Sequence, residues 1–202
     1  MDKKKQLQDL KAQMEADKSL PLRDTATQLV FGEGNPDSEI YFLGEAPGYW
    51  EDQKGRPFVG LAGKLLDELI QSLELKREDV YISNVVRFRP PENRDPTPEE
   101  ITAFAPYVDR EIEIINPKII VTLGRFSMGK FLPGVKISQV HGKIHQVSWH
   151  GQETTVVPMY HPAAALRAGE IMKQLKADFQ VIPEALKKIP EPQLKPEQLS
   201  LV

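Results

Sequence analysis

The chain has no cysteine among its 202 residues. That absence removes disulfides, thiol nucleophiles, thiolate zinc sites and cysteine-ligated iron–sulfur clusters. No run of about 20 apolar residues occurs, so no membrane-spanning helix is expected. The opening stretch MDKKKQLQDLKAQMEADK is charged but lacks the apolar core of a secretory signal, so a cytoplasmic protein is expected. A dominant charge of one sign is also missing. With 26 Lys and Arg against 29 Asp and Glu the net charge is −3, so any contact with nucleic acid must rest on a local basic patch. At 40% hydrophobic and 27% charged residues the composition is that of an ordinary globular protein, and the length suits one α/β domain.

Leu7, Leu10 and Met14 form a narrow apolar stripe at helical spacing, which predicts a docked helical arm over residues 1–18. Strands are predicted at 27–31 (TQLVF), 39–43 (EIYFL), 80–86 (VYISNVV) and 118–123 (KIIVTL), and a hairpin or edge pair at 144–148 and 154–159. Helices alternate with them. Leu65, Leu66, Leu69, Ile70 and Leu73 keep helical spacing. Thr97 is a good N-cap, with Pro98 at the first helical position, for a helix to about Asn116. A last helix is predicted from about Ala163 to Lys188, bent or broken at Pro183. The alternation implies a single domain over 19–188 with a central, mostly parallel four-stranded sheet between helical layers, an α/β/α sandwich. From Ile189 a proline-rich extended tail follows, to residue 202.

In such a sheet ligands bind beyond the carboxyl ends of the strands. Those positions carry GEAPGYWEDQKGRPFVG (44–60), Ser83 and Asn84, Gly124, and YHPAAALR (160–167). The glycine- and proline-rich stretch 44–63 is too long for a mere connector. GEAPGxxED with GRPFVG, then YISN before VRFRPPENR, then HPAAALR, in that order, resemble the family-4 uracil-DNA glycosylases over roughly residues 20–188.

The resemblance implies a DNA repair enzyme that flips uracil out of DNA and hydrolyses its N-glycosidic bond, leaving an abasic site. It implies a bacterial, nucleoid-associated protein, and a monomer is expected. Phe58 matches the aromatic face that stacks on the flipped base, with Gly44 and Ala46 beside it. Asn84 matches the residue reading the pairing edge of uracil, whose O4 accepts and N3–H donates. His161 matches the donor to uracil O2, and Leu166 the wedge that fills the vacated gap, with Arg167 near phosphate. Arg56, Arg87, Arg89 and Arg94 are the candidate phosphate contacts. For orienting the water, Glu45 is preferred and Glu51 is second, with Asp52 also available. Glu51 could instead stand at the C5 edge and exclude the methyl group of thymine.

The chain departs from the family at the four cysteines that usually hold a [4Fe–4S] cluster. Those positions fall at about Asp17, Leu20, Phe88 and Phe104. Three are apolar, so packing is expected to replace the cluster as a staple, and no metal or cofactor is expected. A related branch captures uracil covalently through a histidine-bearing loop. No histidine occurs here before residue 141, so that chemistry is not expected. The terminal QLSLV resembles the pentapeptide that binds the DNA sliding clamp, through Gln198, Leu199 and Leu201. Two other functions remain open at this point: a glycosylase acting on further deaminated bases such as hypoxanthine, and a non-catalytic DNA-binding protein recruited by the clamp.

Overall fold

The structure is a computed structural model that describes residues 2–188. Gln198, Leu199 and Leu201, with the rest of the tail, lie outside the described residues. The strands are β1 (Glu33–Gly34), β2 (Ile40–Gly44), β3 (Tyr81–Asn84), β4 (Ile119–Leu123), β5 (His145–Trp149) and β6 (Gln152–Met159). The helices are α1 (Lys3–Ala16), α2 (Tyr49–Lys54), α3 (Leu61–Gln71), α4 (Pro98–Ile115), α5 (Arg125–Gly129), α6 (Ile137–Val140), α7 (Pro162–Ala165), α8 (Gly169–Phe179) and α9 (Ile182–Lys188).

The sheet order is β1-β3-β2-β4-β6-β5. β3, β2, β4 and β6 are parallel, which is the expected four-stranded core. The sheet nevertheless has six strands, because β1 and β5 add an antiparallel edge on each side. Side chains alternate across each strand and so feed two apolar clusters. Tyr41, Leu43, Tyr81 and Ile120 pack under α1 and α4 with Leu7, Met14, Phe104 and Ile115. Ile40, Phe42, Ile82 and Val121 pack under α3, α8 and α9 with Leu66, Ile70, Phe179 and Ile182. The result is three layers, with β2 buried along its whole length.

The capping box that starts α4 is formed. Glu100 N–H donates to Thr97 Oγ1, and Thr97 N–H donates to the Glu100 carboxylate.

Two expectations are corrected. Residues 27–31 are not a strand: Val30 N–H donates to the Arg87 carbonyl at 2.9 Å, but Thr27 N–H goes to Asp52, so no ladder forms. Their apolar character reflects burial of Val30 and Phe31 against the core. The last helix does not run unbroken to a break at Pro183. It is divided at 166–168 and 180–181, and Pro183 stands second in α9, where its missing N–H costs no helical hydrogen bond.

Candidate active site

β3 lies on one side of β2 and β4 on the other, although β3 and β4 follow β2 in the chain. The carboxyl end of β2 is therefore the topological switch point of the sheet. A cavity of about 400 Å³ opens there, and Glu45, Glu51, Phe58, Asn84, His161 and Arg167 contribute to its lining. Residues that follow β2, β3 and β6 in the chain thus meet at one place. Ala46 and Arg94 also line the cavity, and Leu166 adjoins it, 47% exposed beside Arg167.

The floor is set by close approach. A Cβ on Gly44 would come within 2.4 Å of Asn84 Oδ1 and 2.6 Å of the Phe58 ring. Any side chain there would fill the space between aromatic face and amide. Phe58 sits at φ 49°, an uncommon conformation for a bulky residue. It is held by Arg77, whose guanidinium donates to the Pro57 carbonyl at 2.5 Å and the Phe58 carbonyl at 3.1 Å. Arg77 is itself fixed by Glu33 and Asp67. Sequence reasoning missed Arg77, because the KRED turn around it reads as a solvated charged connector. Glu51 completes the support: one of its oxygens accepts from Val59 N–H at 2.9 Å and Gly60 N–H at 2.8 Å.

The walls carry polar groups with unspent capacity. Asn84 is buried and its Oδ1 has no partner among the described residues. In a protein interior such an orphan costs free energy unless a ligand satisfies it. His161 caps α7, and its Nδ1 accepts from Ala163 N–H at 3.1 Å. That bond makes Nδ1 the acceptor, so the ring proton resides on Nε2. Burial lowers the His161 pKa to about 4; Glu51 opposes the shift and Arg167 reinforces it. The imidazole is therefore neutral near pH 7 and still a donor. Its ring stacks near Phe58, with centroids 5.6 Å apart. Burial, with Asp95 nearby, raises the Glu45 carboxyl to about 7, and Arg125, ion-paired to Asp95, opposes the rise. A carboxylate poised near neutrality is suited to general-base chemistry.

Asp52 is neither a solvated loop charge nor turned to the cavity. It is buried and accepts from Thr27 N–H at 2.8 Å and Thr27 Oγ1–H at 2.6 Å, tying α2 to the segment before β1.

The five arginines expected at phosphate divide into two groups. Arg87 is not on the surface at all. It is 1% exposed and ion-paired at 2.6 Å with Glu111 of α4, which also accepts from Tyr41 and Tyr81. The sequence signal for this was Glu111 itself, a carboxylate on the stripe Phe104, Val108, Glu111, Ile115 that requires a buried cation. Arg56 is paired with Glu33, and Arg94 with Glu100 through both terminal guanidinium nitrogens. No carboxylate engages Arg89 or Arg167 among the described residues. Arg89 lies over the Tyr49 ring at 5.2 Å and donates to Asn93.

The residues at the positions to which the resemblance assigns the cluster cysteines do not fit an iron–sulfur cluster. Leu20, Phe88 and Phe104 are buried in one apolar group, with the Phe88 and Phe104 ring centroids 6.1 Å apart. Arg23 stacks over Phe88 at 5.0 Å. Asp17 accepts from Tyr107 Oη–H at 2.6 Å. Three of the four side chains have no atom that could ligate iron.

The profile of the Uracil DNA glycosylase superfamily matches residues 31–187. The chain is 45% identical over 183 residues to a type-4 uracil-DNA glycosylase of Archaeoglobus fulgidus, covering 88% of this chain and 92% of that one. It is 50% identical over 167 residues to one of Saccharolobus solfataricus, covering 80% and 77%. It is 44% identical over 170 residues to one of Thermotoga maritima, covering 83% and 88%.

Proposed function

Because the chain belongs to the uracil DNA glycosylase superfamily, we infer its chemistry from that membership and from the cavity together. The protein is a uracil-DNA glycosylase, a hydrolase that acts on uracil-containing DNA and leaves an abasic site. The residue roles below are our reading. The observation that carries them is the meeting, in one cavity, of an orphaned buried amide, a neutral N–H donor and an aromatic floor.

A flipped uracil lies on Phe58. The Asn84 carboxamide donates to O4 and accepts from N3–H, and His161 Nε2–H donates to O2. As the glycosidic bond breaks, its electron pair moves onto the base, and the O2 contact strengthens with the developing charge. A water held by Glu45 adds its oxygen to C1′ and passes a proton to the carboxylate. Glu51 keeps the Phe58 loop in place through its two backbone contacts and acts as a positioning residue. Leu166 enters the gap left by the base, and Arg89 and Arg167 meet phosphates.

We read the reaction as needing no cofactor, because the only group the family pattern would add is a cluster whose ligands are replaced here. Uracil release should accordingly survive chelators. Gln198, Leu199 and Leu201 are proposed to recruit the enzyme to the sliding clamp, a reading that rests on the sequence alone. Deleting residues 198–202 should abolish clamp binding and leave oligonucleotide cleavage intact. The activity itself is tested by incubating the purified protein with a uracil-containing oligonucleotide, followed by alkali. Strand scission at the uracil is expected. An intact strand would overturn the reading in favour of DNA binding without catalysis.

A further inference from the structure

Among the described residues, four large apolar side chains are left substantially exposed: Tyr49 at 49%, Trp50 at 57%, Leu61 at 72% and Leu166 at 47%. All four lie on the segments that build the cavity. Each is next in sequence to a residue lining the cavity: Tyr49 to Gly48, Trp50 to Glu51, Leu61 to Ala62 and Leu166 to Arg167. Exposed apolar groups scattered over a surface need no explanation, but confinement to the segments of one cavity does. Leu166 is already placed as the wedge. The aromatic pair on α2 has no role in that account.

α2 is anchored from three directions, although it is only six residues long. Asp52 takes two hydrogen bonds from Thr27, Gln28 Nε2 donates to the Asp52 and Gln53 carbonyls, and Glu51 holds Val59 and Gly60. Trp50 Cδ1 would lie 3.6 Å from a Cβ on Gly60, so the indole rests against the backbone of the loop that carries Phe58. The Tyr49 and Trp50 rings meet edge to face, with centroids 5.2 Å apart and planes at 77°. Arg89 covers Tyr49 and has no carboxylate partner among the described residues. These segments therefore present an aromatic surface on an anchored helix, with a cation beside it that no carboxylate engages among the described residues. That is the combination that binds a nucleic-acid strand with unpaired bases: stacking on the rings and charge for the backbone.

We propose that Tyr49 and Trp50 form a stacking platform for an unpaired nucleobase next to the flipped nucleotide, giving the enzyme added affinity for single-stranded over fully paired DNA. The proposal rests on the glycosylase reading for the position of the strand, and it deepens that reading by naming the form of DNA favoured. In a duplex the neighbouring bases are stacked on one another and their faces are unavailable, so the platform has less to hold there.

The test uses uracil-free DNA, so that catalysis plays no part. The chain contains two tryptophans, Trp50 and Trp149. In a Trp149→Phe background, titration with a short uracil-free single strand should quench the Trp50 emission, and the same sequence as a blunt duplex should quench it less. By anisotropy, the Tyr49→Ala/Trp50→Ala double variant should bind the single strand on the order of tenfold to a hundredfold more weakly than wild type, the range expected for loss of base–aromatic stacking. Trp50→Phe in the Tyr49 background should retain most of the affinity. Absence of quenching, affinity within twofold of wild type, or equal weakening for single strand and duplex would each overturn the proposal. So would a Trp50→Phe variant as weak as Trp50→Ala. Uracil release by wild type is measured separately. Its absence would overturn the glycosylase reading while the binding results still decide the platform.

Discussion

The N-terminal end of α4 and its flank border regions built on opposite terms. Near its N-terminal end lies the cavity, where Asn84 has an orphaned oxygen, Phe58 is held at positive φ, and His161 and Glu45 have pKa values displaced to about 4 and about 7. Along its flank lies the clasp with the N-terminal arm. There Leu7, Leu10, Met14, Leu20, Phe88 and Phe104 are all buried together, and Asp17 is bonded to Tyr107. The cavity leaves a buried amide oxygen open to a ligand, whereas the clasp is closed chiefly by apolar packing. Local strain and unmet polar groups belong where a ligand will complete them, and apolar packing belongs where only stability is required.

The sharpest way to break this contrast is in the clasp. Phe104→Ala should destabilise the protein by ~3–5 kcal/mol, because a fully buried ring is lost from a packed interior. Urea unfolding reads the loss, and the folded fraction should still release uracil. A loss under 1 kcal/mol would show that packing is not the staple. In the cavity the converse is expected: Asn84→Ala and His161→Ala should each slow single-turnover uracil release by ~10²–10³-fold. Their unfolding midpoints should stay near that of wild type, and rates like wild type would remove both residues from the site.

A smaller effect separates the two carboxylates. If Glu45 is the base, it must be ionised to work, so the single-turnover rate should fall about tenfold per pH unit as pH drops below about 7. His161 remains neutral until about pH 4 and so does not limit the rate above that. Glu45→Gln should be slow and should have lost the slope, whereas a slope retained in that variant would move the role to another group. The smallest change is at the junction of the two regions: Thr97→Ala removes the α4 cap and should cost about 1 kcal/mol with uracil release unchanged.

The parallel core, the hairpin and the α4 cap were legible in the sequence because each depends on local pattern: apolar runs, a turn, and Thr97 three residues before Glu100. Phe58 in the loop between α2 and α3, Asn84 at the end of β3 and His161 just after β6 were singled out in the sequence as motif residues. The fate of the arginines was not. Arg87 and Arg89 stand two positions apart in one basic segment, yet Arg87 is drawn inward by Glu111, 24 residues away, and Arg89 remains outside on Tyr49. Partner choice over that separation is decided by tertiary packing rather than by composition. The same holds for Arg77, whose targets are backbone carbonyls at 57 and 58 that no sequence pattern marks. The break at 166–168 was missed because alanine-rich HPAAALR looks helical throughout.

The contrast rests most heavily on His161 as a neutral donor with its proton on Nε2. ¹⁵N NMR of the histidine rings, recorded from pH 8 down to pH 4, reads that state in the intact protein. His161 should show the Nε2–H tautomer across the neutral range and begin to protonate only near pH 4. A ring that titrates near 6.5, or that carries its proton on Nδ1 at neutral pH, would contradict the account.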